Sequence, residues 1–331
     1  MSENVNTNKR GIIWTNYKFP PAAEILFNDA VAHYKLITSA KMQASNLVAG
    51  ASDPSISEAD IAFGQPDPAA IIASTKLKWV HLTSAGYDRY DRDDIRKALS
   101  ARGGKLTTSS HVYDEPCAEH TLAFMLSLAR QLPQCLDTQR MDRAWISAER
   151  RMDSYLLNGQ TVVILSYGAI ACRLIELLSP FDMKIYAVRR KIAGNEAVET
   201  VTTDKMDDVL PLADHVINIL PGGADTRNII GEAKISSMKR GAVYYSIGRG
   251  STTDQDALLA ALDSGQLRYA YLDVTDPEPL PTDHLLWSHP NCFITPHTAG
   301  GSVDEFERLA LHFQNNLRKY EAGEKMENQV I

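Results

Sequence analysis

Three short runs carry an arginine, a glutamate and a histidine at matching places. Ser246-Ile247-Gly248-Arg249-Gly250, Asp273-Val274-Thr275-Asp276-Pro277-Glu278-Pro279 and Thr295-Pro296-His297-Thr298-Ala299-Gly300-Gly301 each lie at or just beyond the end of an apolar stretch of strand composition. Arg can fork a carboxylate and polarise a carbonyl. His gives or takes a proton near neutral pH. A carboxylate beside that ring favours its charged form and fixes its tautomer. Singly, Glu278 reads as a surface charge and Arg249 as an ion-pair partner. Delivered together to the carboxyl ends of strands in one open parallel sheet, where ligands bind, they form an acid/base set with an anion clamp.

Such a set needs a sheet to hold it, and residues 161–191 announce one. Thr161-Val162-Val163-Ile164-Leu165 is a buried-strand composition, followed by the tight turn Ser166-Tyr167-Gly168-Ala169-Ile170-Ala171. Ile170, Leu174, Leu177 and Leu178 then recur on one helical face until Pro180, and Lys184–Val188 is a second strand. Strand, turn, helix and strand form the unit that cradles a dinucleotide, with the pyrophosphate at Tyr167–Ile170. The glycine pattern is incomplete: Gly168 stands and Ala171 substitutes acceptably. Ser166 replaces the first glycine, at a turn where a positive φ would strain it.

Six strands can be counted from here, at 161–165, 184–188, 215–220, 242–247, 269–273 and 292–295. Helical patterns separate most of them, one capped by Asp254 and ended by Gly265. The first 110 residues alternate in the same way, with strands at 11–14, 36–38, 61–63, 78–82 and 106–108, helices at 22–34 and 67–75, and a strand-end turn at 46–50. The small-residue loop Ser84-Ala85-Gly86 follows one of these strands, and by itself it reads as an ordinary strand-end turn. Pro116 opens a long helix, 117–131, that Pro133 ends; this helix suits a hinge or a dimer arm. Residues 140–155 read as a polar surface connection, and Ser302 with Glu305 as a capping box for a last helix. The fold class expected is α/β: two doubly wound parallel-sheet domains, a Rossmann dinucleotide-binding domain (111–298) inserted in a flavodoxin-like substrate domain (1–110 and 299–331), with a cleft between them.

Composition narrows the partners. With 331 residues, 34 basic and 41 acidic side chains and a net charge of −7, nucleic acid and anionic membrane are disfavoured. Residues 1–10 are polar and no apolar run reaches membrane length. The four cysteines and nine histidines show no metal or redox spacing, so a reduced cytoplasmic protein without a metal site is expected.

At these residues the chain resembles the D-2-hydroxyacid dehydrogenase family, whose members include phosphoglycerate dehydrogenase and glyoxylate/hydroxypyruvate reductases. The shared motifs are Ala-Glu-His at 118–120, Tyr-Gly-Ala-Ile at 167–170, Met-Lys-Arg-Gly-Ala at 238–242, Gly-Arg-Gly at 248–250, Leu-Asp-Val at 272–274, Pro-Glu-Pro at 277–279 and Thr-Pro-His-Thr-Ala-Gly-Gly at 295–301. The resemblance implies that Arg249 binds the carboxylate and keto oxygen of a 2-keto acid. It implies that His297 protonates the alkoxide as the nicotinamide delivers hydride, and that Glu278 holds His297 and raises its pKa. Ser84, Ala85 and Gly86 offer N–H groups to the substrate carboxylate. Leu220, Pro221, Thr226, Ile247, Gly248, Asp273, Ala299 and Gly300 line the dinucleotide, Asp273 beside the carboxamide. Formate dehydrogenases resemble the family too but carry Gln where Glu278 stands, which disfavours formate.

At the end of the second strand the acidic residue that reads ribose hydroxyls falls at Arg189, followed by Arg190 and Lys191. Arg189 and Arg190 fit a 2′-phosphate and leave no acceptor for a free hydroxyl, so NADP is preferred over NAD. The reading reached is a homodimeric NAD(P)H-dependent reductase of a short 2-keto acid of the glyoxylate or hydroxypyruvate type. The alternative is a dinucleotide-binding regulator of the same fold, like the C-terminal-binding corepressors. A different Rossmann enzyme, such as an adenosylhomocysteine-hydrolase relative, would need another substrate domain.

Overall fold

The computed structural model describes residues 10–43 and 50–331; the turn expected at 46–50 falls, but for Gly50, outside them. The chain divides into two compact units, Met1–Tyr113 with Ser302–Ile331, and Asp114–Gly301.

In the first unit, β1 (Ile12–Tyr17), β2 (Lys35–Gln43), β3 (Ile61–Gly64), β4 (Trp79–Leu82) and β5 (Lys105–Thr107) form one sheet in the order β2-β1-β3-β4-β5. Every pairing is parallel, which is the flavodoxin-like order with its strand reversal between β1 and β3. Both faces are covered, so β3 and β4 are buried at every position, as an all-parallel sheet requires. One face carries Leu77, Val80, Leu82, Ile95, Leu99 and Leu106. On the aromatic side, Phe313 from the helix Glu305–Glu321 packs 4.7 Å from Phe63 and stacks 5.3 Å from Trp79. Residues 328–331 then run beside β5: Thr108 N–H donates to Asn328 O, Val330 N–H to Leu106 O and Leu106 N–H to Ile331 O, with Thr107 bridged antiparallel to Gln329.

The second unit holds β6 (Thr161–Leu165), β7 (Lys184–Arg189), β8 (Glu199–Thr202), β9 (His215–Asn218), β10 (Ala242–Ser246), β11 (Leu267–Leu272) and β12 (Cys292–Ile294). Their order is β12-β11-β10-β9-β6-β7-β8, again parallel throughout. This is the doubly wound nucleotide-binding sheet with a strand added at one edge. The sheet has seven strands where the sequence suggested six. Glu199-Thr-Val-Thr escapes the apolar pattern because a four-residue edge strand with Val201 as its one apolar side chain carries almost no such signal.

Three other expectations are corrected. The long helix is Ser110–Ala129, with Pro116 inside it rather than at its start, and Pro133 opens the next helix, Leu132–Met141. The segment 140–155 is not only a connection, since Ser147–Asp153 is helical. The capping box at Ser302 is absent: Asp304 is the N-cap, and the Glu305 carboxylate accepts from Tyr113 OH at 3.1 Å instead. Asp254, by contrast, caps Gln255–Asp263 through the N–H groups of Asp256 and Ala257, and Gly265 past its end takes φ +67°.

Candidate active site

Three carboxyl ends of the seven-stranded sheet bring the predicted triad together. Arg249 follows β10, Glu278 lies in the loop after β11 and His297 in the loop after β12. His297 Nδ1 stands 2.8 Å from Glu278 Oε2. An ionised carboxylate only accepts, so Nδ1 carries the proton and Nε2 remains for other chemistry. Glu278 Oε1 accepts from Thr275 N–H at 3.1 Å. Burial opposes charge on Glu278. The His297 hydrogen bond and charge, the Thr275 N–H and the Arg249 guanidinium outweigh it, and the carboxyl sits below its ordinary range.

The histidine loop is held by an unexpected anchor. His297 takes a left-handed backbone, φ +53°, which a non-glycine residue adopts only when its surroundings fix it. Its N–H donates to Asp273 O and Thr295 O, both at 2.9 Å. The Asp273 carboxylate, 3 % exposed, accepts from Thr295 Oγ1 at 2.6 Å, Thr298 N–H at 2.8 Å and Ala299 N–H at 3.0 Å. Half-buried His120, from the 118–120 motif, approaches Thr295 Oγ1 at 3.5 Å. On the arginine side, a Cβ on Gly248 would overlap Leu220 O, and one on Gly250 would overlap the Thr275 carbonyl. Glycines flank Arg249 because the main chains of neighbouring loops press against it on both sides.

The dinucleotide cradle has room for its anion. Gly168 is the N-cap of the helix Ala169–Leu178, with no capping side chain and no acid in the first turn. A Cβ on Gly168 would meet only Ser166 Oγ, at 3.7 Å. No capping side chain occupies the start of the helix, Ala169 and Ile170 included, which is the condition for a pyrophosphate. Ser166 is not among the described non-glycine residues with positive φ, so the strain expected there is absent. Pro221 O accepts from Thr226 Oγ1 at 2.8 Å, and Leu220 N–H donates to the buried Asn218 side chain at 3.1 Å, shaping the loop after β9. Ile247 and Ala299 are buried, and Gly300 is half-buried.

Arg189 is not free at the end of β7. Its Nη1 donates to Glu196 Oε1 at 2.6 Å and its guanidinium lies 5.4 Å from the Tyr167 ring. Arg190 beside it is exposed. The sequence reading left no acceptor at this strand end; Glu196 is one. Its only signal was an acid shortly after a basic run. Ser84, Ala85 and Gly86 lie after β4 in the first unit, half-buried, with Ser84 Oγ donating to Gly86 O at 2.6 Å and accepting from Gln65 Nε2 at 3.0 Å.

Residues 122–299 match the model of a family described as D-isomer specific 2-hydroxyacid dehydrogenase, NAD binding domain. The chain belongs to that family. A Citrobacter koseri protein named glyoxylate/hydroxypyruvate reductase B is 31% identical over 251 residues, 73% of this chain and 74% of its own. A Corynebacterium melassecola protein, known as an uncharacterized protein in the proB 3′ region, is 34% identical over 260 residues, 77% of this chain and 82% of its own. Among solved structures, a D-isomer specific 2-hydroxyacid dehydrogenase family protein of Aeromonas salmonicida subsp. salmonicida A449 superposes with a TM-score of 0.74 at 26% identity, covering 97% of this chain and 98% of that one. This 2-hydroxyacid dehydrogenase is therefore an NAD(P)-dependent oxidoreductase with a Rossmann sheet.

Proposed function

We propose that this dehydrogenase reduces a short 2-keto acid, glyoxylate or hydroxypyruvate, with Arg249, Glu278 and His297 acting as a unit. The observation that carries the reading is the 2.8 Å pair between His297 Nδ1 and Glu278 Oε2 at the carboxyl end of the sheet, with the Arg249 charge acting on the same carboxylate. When bound, the nicotinamide supplies the hydride. Arg249 meets the negative charge that grows on the keto oxygen and binds the carboxylate. His297, protonated on Nδ1 toward Glu278, donates from Nε2 to the alkoxide. Ser84, Ala85 and Gly86 offer main-chain N–H groups to a carboxylate. Tyr167–Ile170, Leu220, Pro221, Thr226, Ile247, Gly248, Ala299 and Gly300 hold the dinucleotide. Asp273 combines the cofactor role with anchoring the histidine loop.

NADP is the preferred cofactor in this reading, through Arg189 and Arg190. The test is a panel of 2-keto acids assayed with NADPH and NADH. The native protein should reduce at least one of the two named acids, and His297→Asn should lose roughly 10²–10⁴ in kcat while still binding dinucleotide. Turnover of the variant at the parent's rate would sink the assignment. The regulatory alternative has the serine at 166, in place of the first glycine, slightly in its favour, and the intact Arg249, Glu278 and His297 against it.

A homodimer in a reducing, cytoplasmic setting completes the proposal. The segment after the Ser110–Ala129 helix exposes Met141 (84 %), Trp145 (94 %) and Met152 (85 %), apolar surface that a partner subunit would cover. All four cysteines are free thiols. Sedimentation showing only monomer at micromolar concentration would remove the dimer.

A further inference from the structure

We infer that Glu196 sets how this enzyme discriminates NADPH from NADH, by holding a carboxylate against the guanidinium that meets a 2′-phosphate. The inference rests on the proposed role of Arg189 and Arg190. It goes beyond that role by giving the decision to a residue that is not on the strand end itself but is folded back onto it by the 190–198 loop.

The loop is built around this one carboxylate. Glu196 Oε1 accepts from Arg189 Nη1 at 2.6 Å and from Ala193 N–H at 2.7 Å, and Oε2 accepts from Gly194 N–H at 2.8 Å. Its side chain is 4 % exposed, against 31 % for Arg189. Tyr167, from the dinucleotide turn, fixes the next residue: its hydroxyl accepts from Ala197 N–H at 2.7 Å, while its ring lies 5.4 Å from the Arg189 guanidinium. The dinucleotide turn, the basic strand end and the acid are thus tied into one cluster.

The chemistry of that cluster is two-sided. A 2′-phosphate brings up to two negative charges to Arg189, beside a carboxylate that already occupies one of its N–H groups. Glu196 therefore weakens the attraction that Arg189 and Arg190 exert. A free ribose hydroxyl is a donor and needs an acceptor. Oε2 accepts the Gly194 N–H at 2.8 Å and, as a carboxylate oxygen, has a second lone pair to offer it. The Ala193 N–H, with Gly194 and Arg189 adding, holds the Glu196 carboxyl down to about 2, so the acceptor stays ionised at working pH. The same residue disfavours NADPH and favours NADH, in a strand end whose arginines do the reverse.

The test is titration of the full chain with NADPH and with NADH, followed by fluorescence without keto acid. Glu196→Gln should tighten NADPH and loosen NADH, raising the ratio of the two dissociation constants roughly tenfold. Arg189→Leu, which leaves the acid in place, should move the ratio the other way. If Glu196→Gln weakens both dinucleotides by one factor, or leaves their ratio unchanged, Glu196 only holds the loop and the inference fails alone. Equal weakening by Arg189→Leu overturns it as well. Should the native protein bind neither dinucleotide, the cofactor reading falls and this inference with it.

Discussion

At the scale of single residues, the His297–Glu278 pair makes the sharpest claim. Glu278 keeps its charge against the burial it does suffer, because the His297 ring, the Thr275 N–H and the Arg249 guanidinium face its carboxylate. The 2.8 Å contact fixes the ring: Nδ1 points its proton at Glu278 and Nε2 is left for other chemistry. Glu278→Gln removes the carboxylate charge and keeps the shape. Turnover in the reducing direction should fall, while dinucleotide binding stays put. Turnover equal to the parent's would make Glu278 a surface carboxylate and no more. Arg249, Glu278 and His297 were legible in the sequence because each sits in a short motif behind an apolar run. Glu196 and the anchoring by Asp273 were not. Both depend on main-chain N–H groups several residues away, which only the folded loops bring to the carboxylate.

At the scale of elements, position depends on close main-chain contact. Gly250 lies where the turn after β10 touches the turn after β11, so a methyl group there must push Thr275, and with it the Glu278 loop, away from Arg249. Gly250→Ala should lower the melting temperature, at a cost of roughly 1–3 kcal/mol or more for overpacking, and should depress kcat beyond what the lost stability explains. A variant with parental melting and turnover would show that the two turns can part freely. Strand count and helix ends were the weaker part of the sequence reading. Pro116 reads as a helix start because proline suits a first turn. Within Ser110–Ala129 it instead removes one hydrogen bond, three residues after the Tyr113–Asp114 division between the units. β8 lies at an edge and is polar at all but Val201, so its identity comes from its pairing with β7 and not from its residues.

At the scale of the whole molecule, each unit buries a neutral histidine. His81 is fully buried between Thr107 Oγ1 and Ser109 Oγ, and burial pushes it well below its ordinary value. His215 lies between Gln160 Oε1 at 2.6 Å and Tyr245 OH at 3.1 Å, and burial lowers it from 6.5 to about 4. Between those two values the unfolded chain binds the proton that the folded chain refuses. Stability therefore falls as pH drops from about 6.5 to about 4 and levels off below, by about 2 kcal/mol at pH 5 for His215 alone. Denaturant melts at pH 7 and pH 5 should show this loss, and His215→Gln should shrink it; an unchanged gap would place the acid sensitivity elsewhere. The pairing of residues 328–331 with β5 has a different consequence. Those residues close one raw border of the five-stranded sheet with the molecule's own backbone. A protease clip ahead of Asn328, or a fused tag that drags the segment away, would leave β5 as a template for strands of other molecules. The first symptom of such damage would be clumping of otherwise intact enzyme, with the loops around His297 still in place.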